Sequence, residues 1–175
     1  MINEIQFASN LDTNLNCAAF DLGTTTGVST LVAGNISCAR IQFKNATGRK
    51  TMPDDHPGYR FSELLGYLTA LFDQNRYDFV FYEEPGSFRN VMTSRVPFGM
   101  RAILLAAASS ADIPVKGVYV QTLKKAATGA ARAEKFDMIL AAEQKYPAVA
   151  GQINHDQADS LCLLDYGLSQ VEIND

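Results

Sequence analysis

The chain is poor in cysteine, with only Cys17, Cys38 and Cys162 in 175 residues. An odd number at such wide spacing excludes a disulfide framework, and no close pair has the spacing of a zinc site. The three read as small core side chains in a reducing cytoplasm. No apolar run approaches the roughly 20 residues that a membrane helix needs. The segment from Met1 to Asn16 lacks a basic start followed by an apolar stretch, so no secretion signal is expected. An excess of positive charge is also missing. The net charge is −4 and the pI near 5.1, which taken alone argues against a nucleic-acid partner.

The distribution of charge argues the other way. Between Gly86 and Lys135 stand eight basic residues, Arg89, Arg95, Arg101, Lys116, Lys124, Lys125, Arg132 and Lys135, against two acids, Asp112 and Glu134. That segment carries +6 and leaves −10 for the rest of the chain. A basic middle on an acidic body suits a polyanion-binding face, although solvated surface charge gives the same pattern. Apolar residues make up 47% and charged residues 19%, an ordinary globular balance, and the length fits one domain with a sizeable core. That domain is expected to span 1–175, with 1–14 and 170–175 as flexible tails.

Periodicity gives the elements. Cys17 to Leu22 is a buried strand that ends at Gly23 and three threonines. Val28 to Ala33 and Ile36 to Phe43 flank Gly34-Asn35, a dipeptide suited to a two-residue hairpin turn. Residues 44 to 57 are polar and contain Gly48, Pro53 and Pro57, which predicts a loop. Apolar residues from Phe61 to Phe72 recur at helical spacing. Phe79 to Tyr82 is a strand running into Glu83-Glu84 before Pro85-Gly86 stops it. Arg95 to Ala111 reads as a helix, Val115 to Val120 as a strand, Thr122 to Ala127 and Arg132 to Lys145 as helices, and a last helix starts near His155. The expected class is α/β: a five-stranded mixed sheet, three antiparallel strands then two parallel, flanked by helices.

Four carboxylates stand out. Asp21 ends a buried strand, where an unpaired charge is costly. Alternation places it on the face of Cys17 and Ala19, and places Glu83 on the face of Phe79 and Phe81. Asp156 and Asp159 are three apart at a helix start, so they project from one face and repel unless a cation lies between them. Converging, such acids would suit one or two Mg²⁺ ions, which prefer oxygen ligands and serve phosphodiester hydrolysis in pairs. His155 could help to position a phosphate or a water. Each acid also has a structural explanation: Asp21 capping a turn through Thr24 or Thr25, Glu83 or Glu84 as an exposed strand end, Asp156 as an N-cap or first-turn residue.

Taken together, these residues resemble the RuvC family of Holliday junction resolvases, over nearly the full length from about Cys17 to Leu168. Phe20-Asp21-Leu22-Gly23 with Thr26-Gly27-Val28 is similar to the family's first acidic motif, and Asp78 to Glu83 to the strand that delivers the second acid. Pro97-Phe98-Gly99-Met100-Arg101 through Ala108 resembles the family's dimer helix. Lys124 to Thr128, with Ala133-Glu134-Lys135, resembles its basic segment, and Asp156 to Leu161 its closing acidic helix.

The resemblance implies a ribonuclease H-like fold and a homodimer acting on four-way or branched DNA. It implies catalytic metal ligands at Asp21, Glu83, Asp156 and Asp159, with Glu84 and His155 auxiliary, and Mg²⁺ or Mn²⁺ as cofactor, two ions per site. Lys124, Lys125, Arg132 and Lys135, with Phe88 and Arg89, would contact the DNA. Paired nicks by in-line attack of water would leave 5′-phosphate and 3′-hydroxyl ends. Pro85-Gly86 stands where bacterial members carry an aromatic wedge, and Phe88 is displaced by two positions. This compact, divergent form resembles bacteriophage versions working in a host cytoplasm.

Other readings have less support. A ribonuclease for RNA–DNA hybrids would use the same acids, and a non-catalytic DNA-binding module would have no reason to keep their mutual repulsion. Asp21 to Gly27 also resembles the phosphate loop of sugar kinases and Hsp70-type ATPases. Those need two such domains, which 175 residues cannot supply.

Overall fold

The alternation of apolar residues along the first half of the chain builds a sheet with two buried faces. The computed structural model describes residues 3–9, 11, 13–43, 58–86 and 91–171. The strands are β1 (Asn3–Ala8), β2 (Cys17–Asp21), β3 (Thr25–Val32), β4 (Asn35–Gln42), β5 (Phe79–Glu84) and β6 (Val115–Tyr119). The helices are α1 (Gly58–Gln74), α2 (Val91–Ser110), α3 (Val120–Thr128), α4 (Lys135–Lys145) and α5 (His155–Val171), with a short 3₁₀ turn at Pro147–Val149. The sheet order is β1-β4-β3-β2-β5-β6. β1 to β4 pair antiparallel, while β5 joins β2, and β6 joins β5, in parallel.

Helices cover both faces. Cys17, Ala19, Leu31, Cys38, Phe81 and Val118 pack under α3, α4 and α5, through Leu123, Met138, Leu161 and Leu164. On the other face Ala18, Phe20, Val28, Val80 and Tyr82 pack under α1 and α2, through Leu64, Leu68, Met100 and Leu104. Because successive side chains of a strand point to opposite faces, Asp21 and Glu83 follow Ala19 and Phe81 onto the α5 side. Residues of α2 that could have formed an interface, Met100, Leu104 and Ala108, are instead buried against the protein's own core, while Phe98 stays 45% exposed.

Two expectations need correction. The sheet has six strands rather than five, because Asn3–Ala8, expected as part of a tail, pairs with β4. Ile5 and Phe7 pack on the core from this strand, enough apolar surface to hold the edge of the sheet. The hairpin turn is Ala33-Gly34, one residue earlier than Gly34-Asn35. Both turn residues adopt positive φ, 48° and 77°, as a two-residue turn of this hand requires, and Asn35 opens β4 opposite Val32. At the other end, 170 and 171 belong to α5. Residues 172–175, the loop expected at 44–57, and Phe88 and Arg89 lie outside the described residues.

Candidate active site

One row of residues runs across the sheet at the C-terminal ends of the parallel strands, where open α/β sheets place their sites. Arg40 on β4 is opposite Gly27 on β3, and Gly27 is opposite Asp21 on β2. Phe20 is level with Tyr82, so the next residues along the two strands, Asp21 and Glu83, follow side by side. Glu83 is in turn opposite Val118 on β6. α5 crosses this row with its first turn. Gly27 makes that approach possible, since a Cβ there would overlap the main-chain oxygen of Asp156 and crowd Ser160. One turn further on, Ser29 and Ser160 share a buried hydrogen bond of 2.8 Å.

The N-terminus of α5 is capped by Asn154, whose Oδ1 accepts the backbone N–H groups of Asp156 at 3.0 Å and Gln157 at 3.2 Å. Asp156 is therefore a first-turn residue, not the cap. Its Oδ2 accepts Arg40 Nε at 2.7 Å, and its Oδ1 lies 3.2 Å from His155 Nε2. Nor does Asp21 cap the following turn, which is tied by Thr26 Oγ1 donating to the Gly23 carbonyl at 3.1 Å.

The four acids meet in one electrostatic cluster. Burial pushes Asp21 well above the usual carboxylate range, and Glu83, Asp159 and Asp156 raise it further, against a smaller opposing pull from Lys135. Burial, with Asp159 beside it, lifts Glu83 to about 7, with Lys124 opposing. Burial lifts Asp159 to about 6; Lys124, His155 and Lys135 lower it while Asp156 raises it. Cβ atoms three apart on a helix stand ~5–6 Å apart. At an effective dielectric of 20, Asp156 and Asp159 then repel by about 3 kcal/mol. The guanidinium 2.7 Å from Asp156 more than offsets that at closer range, so Asp156 is the compensated member. Asp21, Glu83 and Asp159 take no hydrogen bond or ion pair from the described residues.

Lys124 and Lys135 reach this cluster from α3 and α4. Lys124 Nζ donates to the Ala133 carbonyl at 2.6 Å, drawing the α3–α4 connection toward the acids. A capping box, in which the Glu134 side chain takes the N3 amide and Asp137 takes the Glu134 amide, sets Lys135 at the first helical position. Lys125 and Arg132 are exposed on the same segment.

Glu84 points to the opposite face. Its Oε1 accepts Tyr82 Oη at 2.6 Å and a terminal nitrogen of Arg101 at 3.1 Å. The Arg101 guanidinium also lies over the Tyr82 ring, 5.5 Å from its centre. Of the adjacent glutamates, Glu83 is the one in the cluster.

Among the described residues no group of three or more His, Cys, Asp or Glu side chains is arranged, as it stands, to hold a metal ion. The donor set nevertheless fits one in chemistry and charge. It is all oxygen, and Asp21, Glu83 and Asp159 have no ion-pair partner among the described residues, the condition that a hard divalent cation relieves. Sequence reasoning missed Arg40 and the close approach that Gly27 permits. Their signals were a charged residue in phase with buried Ile36 and Cys38, and a glycine inside a strand.

The architecture is a ribonuclease H-like fold of the RuvC type. Thermus thermophilus RuvC in complex with a Holliday junction substrate superposes with a TM-score of 0.74, at 17% identity over 91% of this chain and 96% of that one. A second Thermus thermophilus RuvC structure gives 0.68, at 17% identity over 91% and 97%. No family model matches the sequence, and neither does any curated protein. No helix among the described residues is long and apolar enough to cross a membrane.

Proposed function

We propose that this chain is a divalent-metal-dependent endonuclease that nicks four-way or branched DNA, a single nuclease domain working as a homodimer in the cytoplasm. The observation that carries the reading is the uncompensated carboxylate cluster of Asp21, Glu83 and Asp159, with Lys124 and Lys135 facing it, on this fold.

Asp21, Glu83 and Asp159 would hold Mg²⁺ or Mn²⁺, and Asp156 adds a fourth negative charge at the edge, fixed by Arg40. Bound there, a pair of such ions supplies activation of water and stabilisation of the leaving 3′-oxygen. The protein's own groups do the rest. Lys124 and Lys135 offset the charge of a phosphate brought beside four carboxylates, and strands β2 and β5 fix two acids on a rigid frame. His155, near both Asp156 and Asp159, borders the same place. No side chain has to form a bond to the substrate. A two-fold dimer would set two such sites on opposing strands of a junction that is itself nearly two-fold symmetric.

A synthetic four-way junction tests this directly. Symmetric nicks that require Mg²⁺, leave 5′-phosphate ends and vanish in Asp21→Asn and Asp159→Asn are expected. Unchanged nicking in both variants would overturn the assignment. Preference for an RNA–DNA hybrid would move the reading to a ribonuclease H-type activity with the same residues. Binding without cleavage in any divalent metal would leave a DNA-binding module.

A further inference from the structure

Arg40 belongs to none of the motifs that define the site, yet it stands on β4 in the row that carries Asp21 and Glu83. Its side chain is 46% exposed, while that of its partner Asp156 is only 10% exposed. Among the described residues Nε makes its one hydrogen bond, to Asp156 Oδ2, and the two terminal amino groups make none. The guanidinium is thus anchored by one edge, with two donors left at the surface of an otherwise acidic site. A planar fork presented in this way matches two phosphate oxygens.

Its place in the sheet gives that fork a direction. Lys124 acts on Glu83 and Asp159 from α3, which follows β6, and Lys135 acts on Asp21 and Asp159 from α4, whereas Arg40 stands on β4, across β3 from Asp21. Two strand spacings separate Arg40 from Asp21, about 10 Å along the sheet. Cations therefore flank the acids on both sides of the row. A nucleic-acid strand lying along it meets Lys124 and Lys135, then the carboxylates, then Arg40.

We infer that Arg40 is a phosphate-binding residue that grips the DNA backbone next to the phosphate being cut, on the side away from the lysines. The inference rests on the nuclease reading above. Asp156 on this account holds the guanidinium in register, so the ion pair serves substrate binding as well as charge balance.

The test is junction binding across a salt series, with Ca²⁺ in place of Mg²⁺ and no cleavage needed for the readout. Every phosphate that a protein cation neutralises adds about 0.9 to the steepness of log K against log salt. Arg40→Gln should reduce the steepness by about that amount per site, and Arg40→Lys, which keeps the charge, should leave most of it. Arg40→Gln leaves Asp156 without its partner and could fail to fold. The double variant Arg40→Gln/Asp156→Asn has no such orphan, and its slope is compared with that of Asp156→Asn alone. An unchanged slope in a folded Arg40→Gln, or no difference between the double variant and Asp156→Asn, overturns the inference and leaves Arg40 a partner of Asp156 only. If the unaltered protein shows no salt-dependent junction binding, the nuclease reading falls first and takes this inference with it.

Discussion

The main-chain oxygen of Asp156 occupies the place where Gly27 would carry a side chain. This close approach fixes how far α5 settles onto β3, and with it the distance from Asp159 to Asp21. Gly27→Ala must push the helix outward or strain both elements. Forcing a methyl into such a packed place costs about 1–3 kcal/mol. A urea midpoint lowered by that amount is expected, with a loss of nicking larger than the loss of folded protein explains. A variant of unchanged stability would show that α5 tolerates displacement.

Asp21 is expected to trade stability for activity. It lies among three other carboxylates and takes no hydrogen bond or ion pair from the described residues. Asp21→Asn removes a charge that burial and repulsion both oppose, so the variant should melt higher than the parent in EDTA at pH 8. The gain appears as a rise in melting temperature, its sign set by burial and the neighbouring carboxylates. The same variant should lose all junction nicking. A lower melting temperature would mean that an unrecognised group stabilises the Asp21 anion.

The pH dependence follows from the same cluster. Glu83, at about 7, and Asp159, at about 6, hold protons in the folded state that the unfolded chain releases near pH 4. The folded state therefore binds more protons across this window, and stability in EDTA falls as pH rises from about 4 to about 7. Mg²⁺ competes with those protons, so its affinity should climb as pH rises through 6–7. Thermal melts at several pH values, with and without Mg²⁺, check both trends. Stability that rises with pH in EDTA would contradict the clustering of the acids.

The two neighbouring glutamates separate by role. Glu84 is bonded to Tyr82 and Arg101 on the face away from Asp21. Glu84→Gln keeps an oxygen acceptor for that network and should retain most nicking, with a modest fall in melting temperature. Glu83→Gln should abolish nicking with melting unchanged or raised. The opposite pattern would move the second acid to Glu84.

Much of this was legible in the residues themselves. Alternation placed Asp21 on the side of Cys17 and Ala19, and Glu83 on the side of Phe79 and Phe81, because a strand leaves a side chain no third direction; the β2–β5 register makes those sides one face. Helical spacing found α1 and α5, and the three-residue separation of Asp156 and Asp159 put them on one side of α5. What escaped were relations set by register between distant segments. β1 offers only Ile5 and Phe7 to the core, too little apolar pattern to mark a strand until β4 is there to pair with it. Arg40 reads as an ordinary polar position until Gly27 opposite it admits Asp156. Ala33, rather than Asn35, takes the left-handed turn conformation because the β3–β4 pairing is set by their whole length.

A crystal of the protein soaked with Mn²⁺, with the ion located by its anomalous scattering, is the most direct measurement. The account predicts a peak between β2, β5 and the first turn of α5, coordinated by oxygens of Asp21, Glu83 and Asp159. Manganese bound only elsewhere, with those three carboxylates uncoordinated at neutral pH, would contradict it.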